Sequence, residues 1–288
     1  RAMFFGGNPP PPPPPFSLFE PGACGAVPYF ETSAGDPPAE LYALFGRYTV
    51  YWGVLWLACG GFAKAFIMPR LPHSTKPHEN SSMYIGQKIV TTFKNALIAA
   101  LANLAMYSII TADSWSRDLE FGGYPLIEVS GVLFTSFETA DLVLCLVFRF
   151  LDTEMVVHHL IHIFLGLLIR GNCAPALTAS ILMAQETSGV PLNYYLALRH
   201  RMPEHRSIIP AQSLFAMCFF AWRLLIGTYG TVHYVVYAAE FLPPAFPSMQ
   251  ARALGVALVL ASVLQWYWGV AIIKMIARKI SGKAKPKP

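Results

Sequence analysis

Apolar runs of about the length of a membrane-spanning helix constrain this chain more than any other feature. A helix needs about 20 apolar residues to cross the hydrocarbon core of a bilayer. Runs near this length cover residues 45–68, 88–111, 127–149, 153–170, 174–198, 208–230 and 250–276. Only 13% of the residues are charged, about half the fraction usual in soluble domains. We therefore predict an all-α, multi-pass transmembrane bundle of about seven helices.

Basic residues are unevenly distributed between the predicted connections. Arg70 and Lys76 lie between the first two spans, and Arg199, Arg201 and Arg206 lie between the fifth and sixth. Basic residues concentrate on the cytoplasmic side of membrane proteins, which predicts an outer N-terminus and an inner C-terminus. The net charge of +5 comes largely from the ending KMIARKISGKAKPKP. This ending is typical of a basic tail at a membrane surface, and we expect no nucleic acid partner.

Three regions are predicted along the chain. Residues 1–44 form a proline-rich arm whose GNPPPPPPPF tract favours an extended polyproline II conformation. Residues 45–280 form the transmembrane domain, and residues 281–288 form the basic tail. The arm is either a passive tail or an extended segment that contacts other membrane-protein subunits.

Ionisable residues inside apolar runs are costly in a bilayer, and each is therefore a functional candidate. Most of them fall in the same half of the membrane when depth is counted along the predicted helices. The pattern predicts one polar pocket that opens toward the inner leaflet. The set comprises Lys94, Glu138, Asp141, His158, His159, His162, Glu186 and Arg223, with Asn193 and Gln265 as neutral companions.

The histidines of MVVHHLIHIFLG lead to the most specific hypothesis about the site. His158 and His162 are four residues apart and share a helix face, whereas His159 is rotated by about 100°. One histidine can then face a substrate while its neighbour bonds to a carboxylate, which is the arrangement of a general base. The alternative is that these rings only hydrogen-bond neighbouring helices.

Two basic residues within the runs are interpreted as structural. Lys94 lies near the start of the predicted second span, and its long side chain is expected to snorkel to the inner interface. Arg223 is too central to snorkel, and we expect it to pair with Glu186 or Glu138.

A resident metal is not predicted. The HHLIH stretch is superficially similar to the histidine boxes of membrane di-iron oxygenases, but the chain has only 8 histidines and no second box. A zinc site from His158, His162 and Asp141 is geometrically possible, and it stays an alternative.

Five sequence blocks, in order, resemble the TLC domain of the translocation-associated, longevity-assurance and CLN8 membrane proteins. The resemblance extends over residues 83–280, and its blocks are TSFETADLVL, LDTEMVVHHLIHIFLG, AQETSGVPLN, LFAMCFFAWRLL and LQWYWGVAIIKM. It implies functional roles for Asp141, His158, His159, Glu186, Ser188, Asn193, Arg223 and the aromatic residues from Trp266 to Trp268.

The resemblance implies a function in lipid chemistry, and the positions at which this chain differs from the ceramide synthases bear on which function is expected. Ceramide synthases of this family transfer an acyl chain from acyl-CoA to a sphingoid base, and their adjacent histidines are the implied catalytic pair. Their signature continues into a His-Asp pair and a second Asp. The stretch TASILMAQE keeps Glu186 but lacks these residues. The chain is more similar to TLC-domain proteins without demonstrated acyl transfer, whose ascribed roles concern membrane lipid composition.

Three functions follow as expectations. The first is binding of membrane lipid, a phospholipid or sphingolipid, by Glu138, Asp141, His158, His159, His162, Glu186 and Asn193. The second is a non-catalytic accessory subunit of a large membrane complex, held through the arm. The third is an acyl-CoA-dependent acyltransferase with His158, His159 and Asp141 as catalytic residues. The family implies the endoplasmic reticulum, and an organellar inner membrane such as the mitochondrial one is the alternative if Arg1 follows a cleaved transit peptide.

Overall fold

The computed structural model describes residues 39–111, 125–150, 153–172, 176–241 and 248–281. These residues are helices joined by short connections, with no strand in the described ranges. Most of the proline-rich arm and of the basic tail lies outside them. Helix α1 already begins at Ala39, so the end of the region assigned to the arm is helical.

The helices follow the apolar runs of the sequence. Their bounds are α1, Ala39–Phe62; α2, Ser82–Ile110; α3, Pro125–Phe148; α4, Thr153–Asn172; α5, Ala176–Ala184; α6, Gly189–Leu198; α7, Ile208–Cys218; α8, Gly227–Phe241; and α9, Ser248–Ile280. A π-helical segment, Ala63–Ile67, and the 3₁₀ turn Met68–Arg70 extend α1. Another π-helical segment, Phe219–Ile226, joins α7 to α8 into one continuous rod.

Within the described ranges, five helical stretches are long and apolar enough to cross a membrane. They are Ala43–Arg70, Ser82–Ile110, Val129–Phe148, Ile208–Val236 and Arg252–Arg278. The predicted fourth span corresponds to α4, which is apolar over the shorter stretch Thr153–Leu167. Large apolar side chains such as Val50, Leu160 and Leu225 are more than half exposed on the outer surface of the bundle, where lipid tails would cover them.

The predicted fifth span is not one continuous helix. A 3₁₀ turn, Gln185–Ser188, separates α5 from α6. Pro191 follows within the first turn of α6, where a proline is tolerated because the N–H it lacks has no intrahelical partner. Gln185, Glu186 and Ser188 are all buried in this turn. The break therefore places polar groups in the middle of the bundle.

A polar clasp joins two connections at one end of the bundle. Glu79, before α2, accepts hydrogen bonds from Ser74 Oγ at 2.5 Å and His200 Nδ1 at 2.7 Å. Arg201, after α6, donates to the carbonyls of Pro72 and Glu79. Burial opposes ionisation of Glu79, but the bonds from Ser74 and His200 outweigh it, and the pKa of this carboxyl is lowered. The clasp therefore ties the start of α2 to the end of α6, two of the helices that surround the cavity described next.

Candidate functional site

A cavity of about 340 Å³ lies among α2, α3, α4, α6, α7, α9, the 3₁₀ turn Gln185–Ser188 and the π-helical segment Phe219–Ile226. Its apolar lining includes Phe137, Leu192, Leu196, Phe215 and Ile272. Its polar lining is concentrated on α2, α3 and α4, which face one another across the space. The cavity therefore has an apolar wall and a compact polar wall, as small-molecule binding sites usually do.

Lys94 forms the centre of the polar wall. Its Nζ lies 3.1 Å from Glu138 Oε1 and 2.6 Å from Glu186 Oε2. The same ammonium lies 4.7 Å from the centre of the Phe137 ring. The side chain is only 2% exposed, so the prediction that Lys94 snorkels to the interface is wrong. The reason is that α2 begins at Ser82 rather than residue 88, which puts Lys94 deep in the bundle.

His159 is held at both ring nitrogens. Its Nδ1 lies 2.7 Å from the carbonyl oxygen of Met155, one turn earlier in α4, and its Nε2 lies 2.8 Å from Asp141 Oδ2. Gln87 Nε2 donates to the other oxygen of Asp141 at 3.1 Å. The carbonyl can only accept, so Nδ1 carries a proton and Nε2 is committed to the carboxylate. His159 thus has no free lone pair for a ligand in this arrangement.

His158 has the opposite environment. Its ring lies between His162, at a centroid distance of 4.1 Å, and Trp268, at 5.3 Å. The Nδ1 atom is buried and has no hydrogen-bond partner within the described part of the chain. The residue also lines the cavity. Of the two adjacent histidines, His158 is therefore the one available to a bound molecule.

Arg223 also lines the cavity and extends its polar wall. Its Nη2 lies 3.5 Å from Glu186 Oε1, so the predicted pairing with Glu186 is confirmed. Its Nε donates to Ser188 Oγ at 2.7 Å, and its Nη1 donates to Gln265 Oε1 at 3.3 Å. Arg223 lies in the π-helical segment Phe219–Ile226. Such segments occur frequently at functional sites because they redirect side chains within a helix.

The comparison with protein families identifies the domain to which these helices belong. Residues 86–274 match the family model TRAM_LAG1_CLN8, described as the TLC domain. The chain belongs to the TLC-domain family. It is a multi-pass membrane protein with a helical TLC fold. Comparison with curated proteins gives no match.

The TLC domain brings together most of the residues singled out from the sequence. Of the seven residues predicted to bind lipid, His162 alone does not line the cavity; its Nδ1 bonds to the carbonyl of His158 at 2.8 Å. Asn193 lines the cavity and donates to the carbonyl of Gly189 at 2.9 Å. The six predicted lipid-binding residues that line the cavity are Glu138, Asp141, His158, His159, Glu186 and Asn193, and Lys94, Arg223 and Trp268 line it as well.

The sequence analysis missed polar residues on α2 of the TLC domain. Gln87, Lys88, Thr91 and Asn95 all line the cavity. Thr91 follows Gln87 by four residues and Lys88 by three, and Asn95 follows Thr91 by four, which places them near one face of a helix. This spacing was a usable signal, but the predicted span began at residue 88, so the stretch was interpreted as a membrane boundary.

A metal site is not visible in the described ranges of the TLC domain. No group of three or more His, Cys, Asp or Glu side chains is arranged there to hold an ion. His158, His162 and Asp141, the set considered for zinc, do not converge, because Asp141 bonds to His159 and Gln87 instead.

Proposed function

We propose that the protein binds one end of a membrane lipid in the cavity, with the headgroup or carbonyl region against the polar wall and a chain along the apolar wall. The observation that carries this proposal is the unpartnered, buried Nδ1 of His158, a residue that lines a largely apolar cavity. A buried polar atom without a partner is costly, and a bound polar ligand removes that cost.

The size of the cavity supports a partial rather than a complete enclosure of the lipid. A volume of about 340 Å³ is at the lower end of the range for sites that enclose a drug-sized ligand. A two-chain phospholipid or sphingolipid is larger than such a ligand. The remaining chain length would therefore extend out between the helices into the bilayer.

Filling the cavity tests the proposal. We expect Leu192→Trp to remove most of the lipid that co-purifies with the wild-type chain, because Leu192 lines the cavity and the larger ring takes up part of its volume. Leu160→Trp is the matched control, since Leu160 is 53% exposed on the outer face of α4. Native mass spectrometry in mild detergent measures bound lipid per chain. Equal lipid retention in both variants, or none in the wild type, would contradict the proposal.

Acyl transfer is a second candidate, favoured by the different environments of the two histidines. His158 has a free nitrogen with which to take a proton from an amine or hydroxyl nucleophile, while His159 and Asp141 provide a fixed polar group beside it. Acyl-CoA would be the donor: the nucleophile attacks the thioester carbonyl, the C–S bond breaks, and the proton taken up by His158 passes to the departing CoA thiolate.

A labelled acyl-CoA assay distinguishes transfer from binding alone. If His158 is the general base, we expect His158→Ala to lower the rate about a hundredfold. His205→Ala is a control in the connection after α6, where His205 bonds to Ser207. A wild-type chain that binds lipid but transfers no acyl group would leave lipid binding as the function.

Two further proposals concern the cellular context, namely a partner complex and the membrane in which the protein lies. An accessory role in a membrane complex would depend on the proline-rich arm, which lies outside the described residues apart from its last few. The endoplasmic reticulum is the location that the family suggests, and an organellar inner membrane is the alternative.

A further inference from the structure

One face of α2 presents polar groups to the cavity in addition to the histidine and carboxylate cluster. Lys88, Thr91 and Asn95 line the cavity at positions i, i+3 and i+7 of the helix. This spacing places the three residues on one face, with the two ends separated by roughly 10 Å along the axis. Lys88 is nearest the end of the bundle that carries the polar clasp, and Asn95 is deepest.

Two of these residues have polar atoms without partners. Thr91 Oγ1 and Asn95 Oδ1 are buried and bond to nothing among the described residues. A threonine hydroxyl in a helix usually bonds to the carbonyl four residues earlier. The neighbouring Thr92 does so, since its hydroxyl donates to the carbonyl of Lys88 at 2.6 Å. Asn95 is only 3% exposed. Unpartnered hydrogen-bonding atoms on residues that line a cavity indicate a ligand that completes them, because buried polar atoms in native proteins usually have partners.

The ammonium of Lys88 is also not paired with an acid. Its Nζ lies 4.9 Å from the centre of the Tyr84 ring, and no carboxylate of the described residues lies within ion-pair distance. The acids that line the cavity are already engaged. Asp141 bonds to His159 and Gln87. Lys94 bonds to the other two acids, Glu138 and Glu186.

We propose that this α2 face is a headgroup subsite for an anionic lipid. Lys88 binds the oxyanion, a phosphate or a carboxylate, and Asn95 Oδ1 accepts a hydrogen bond from a hydroxyl or amide group deeper in the cavity. Thr91 supplies a hydroxyl between them. The subsite rests on the proposed function and gives it a ligand class. A lysine that only reaches for the aqueous interface would not distinguish charged from neutral lipids.

The test compares three single-chain lipids that share an oleoyl chain, bound to the full-length protein in a non-ionic detergent. Lysophosphatidic acid carries a phosphate, oleate carries a carboxylate, and monooleoylglycerol is uncharged. We expect the wild type to bind one or both anionic lipids about tenfold more tightly than the neutral one, as a charge-assisted contact implies. Lys88→Gln should abolish this preference, so that the anionic lipids bind no more tightly than monooleoylglycerol.

Lys64→Gln is the matched control, because Lys64 is exposed in the extension of α1 and does not line the cavity. It should keep the wild-type preference. Preference for lysophosphatidic acid assigns a phosphate to the subsite, and preference for oleate assigns a carboxylate. Equal binding of all three lipids, or a preference that survives Lys88→Gln, overturns the subsite and leaves the proposed function intact. Absence of binding by every lipid overturns both.

Discussion

Lys94→Met is expected to lower the free energy of unfolding by about 3–5 kcal/mol, the usual effect of removing one partner from a buried ion pair. The lysine contacts both Glu138 and Glu186, at 3.1 Å and 2.6 Å. Methionine fills a similar volume but leaves one excess negative charge in the middle of the bundle. Thermal or denaturant unfolding in detergent, followed by tryptophan fluorescence, measures the loss.

A second substitution distinguishes charge imbalance from a simple packing defect. Lys94→Met combined with Glu138→Gln removes one cation and one acid, and Glu186 keeps its contact with Arg223. The double variant should be more stable than the sum of the two single effects predicts, by about 1–3 kcal/mol. Lys64→Met, at an exposed position, should be close to neutral. Strict additivity of the two substitutions would mean that the ion pair is absent.

The position of Lys94 shows what the sequence could and could not predict. Hydropathy located the apolar runs, and ionisable residues inside them indicated a polar pocket. The start of the second span was placed at residue 88, whereas α2 begins at Ser82. Lys94 is therefore about 18 Å along the helix rather than near its end. A boundary error of a few residues changed the interpretation of this side chain from snorkelling to the centre of an ion-pair network.

The roles of the three histidines show a second limit. Spacing correctly separates His159 from the face shared by His158 and His162. It does not fix the rotation of α4 within the bundle, which depends on contacts with α3 and α9. In the structure, that rotation turns His159 toward Asp141 and leaves His158 facing the cavity. His162 is placed behind His158, where it bonds to the carbonyl of that residue. The depth of each histidine along its helix follows from the sequence. The direction in which its side chain points depends on how the helices pack.

Gly86→Val tests the contact that sets the position of α2, and we expect it to lower the free energy of unfolding by about 3 kcal/mol. A Cβ atom at Gly86 would lie 2.5 Å from the backbone nitrogen of Gly60 and 2.7 Å from its Cα. Both atoms belong to the backbone of α1, so the helices must separate to admit any side chain.

Gly61→Val is the control for the same substitution, because a Cβ at Gly61 meets no atom within 4 Å. Its effect should remain within about 0.5 kcal/mol, since valine and glycine differ little in helix propensity. Trp56 reports on the contact directly, as its Nε1 donates across the helix pair to the carbonyl of Met83 at 2.9 Å. Equal stability of the two valine variants would contradict the close approach of α1 and α2. A shift of tryptophan emission in Gly86→Val but not in Gly61→Val would show that the side chain at position 86 disturbs the contact between α1 and α2 at which Trp56 lies.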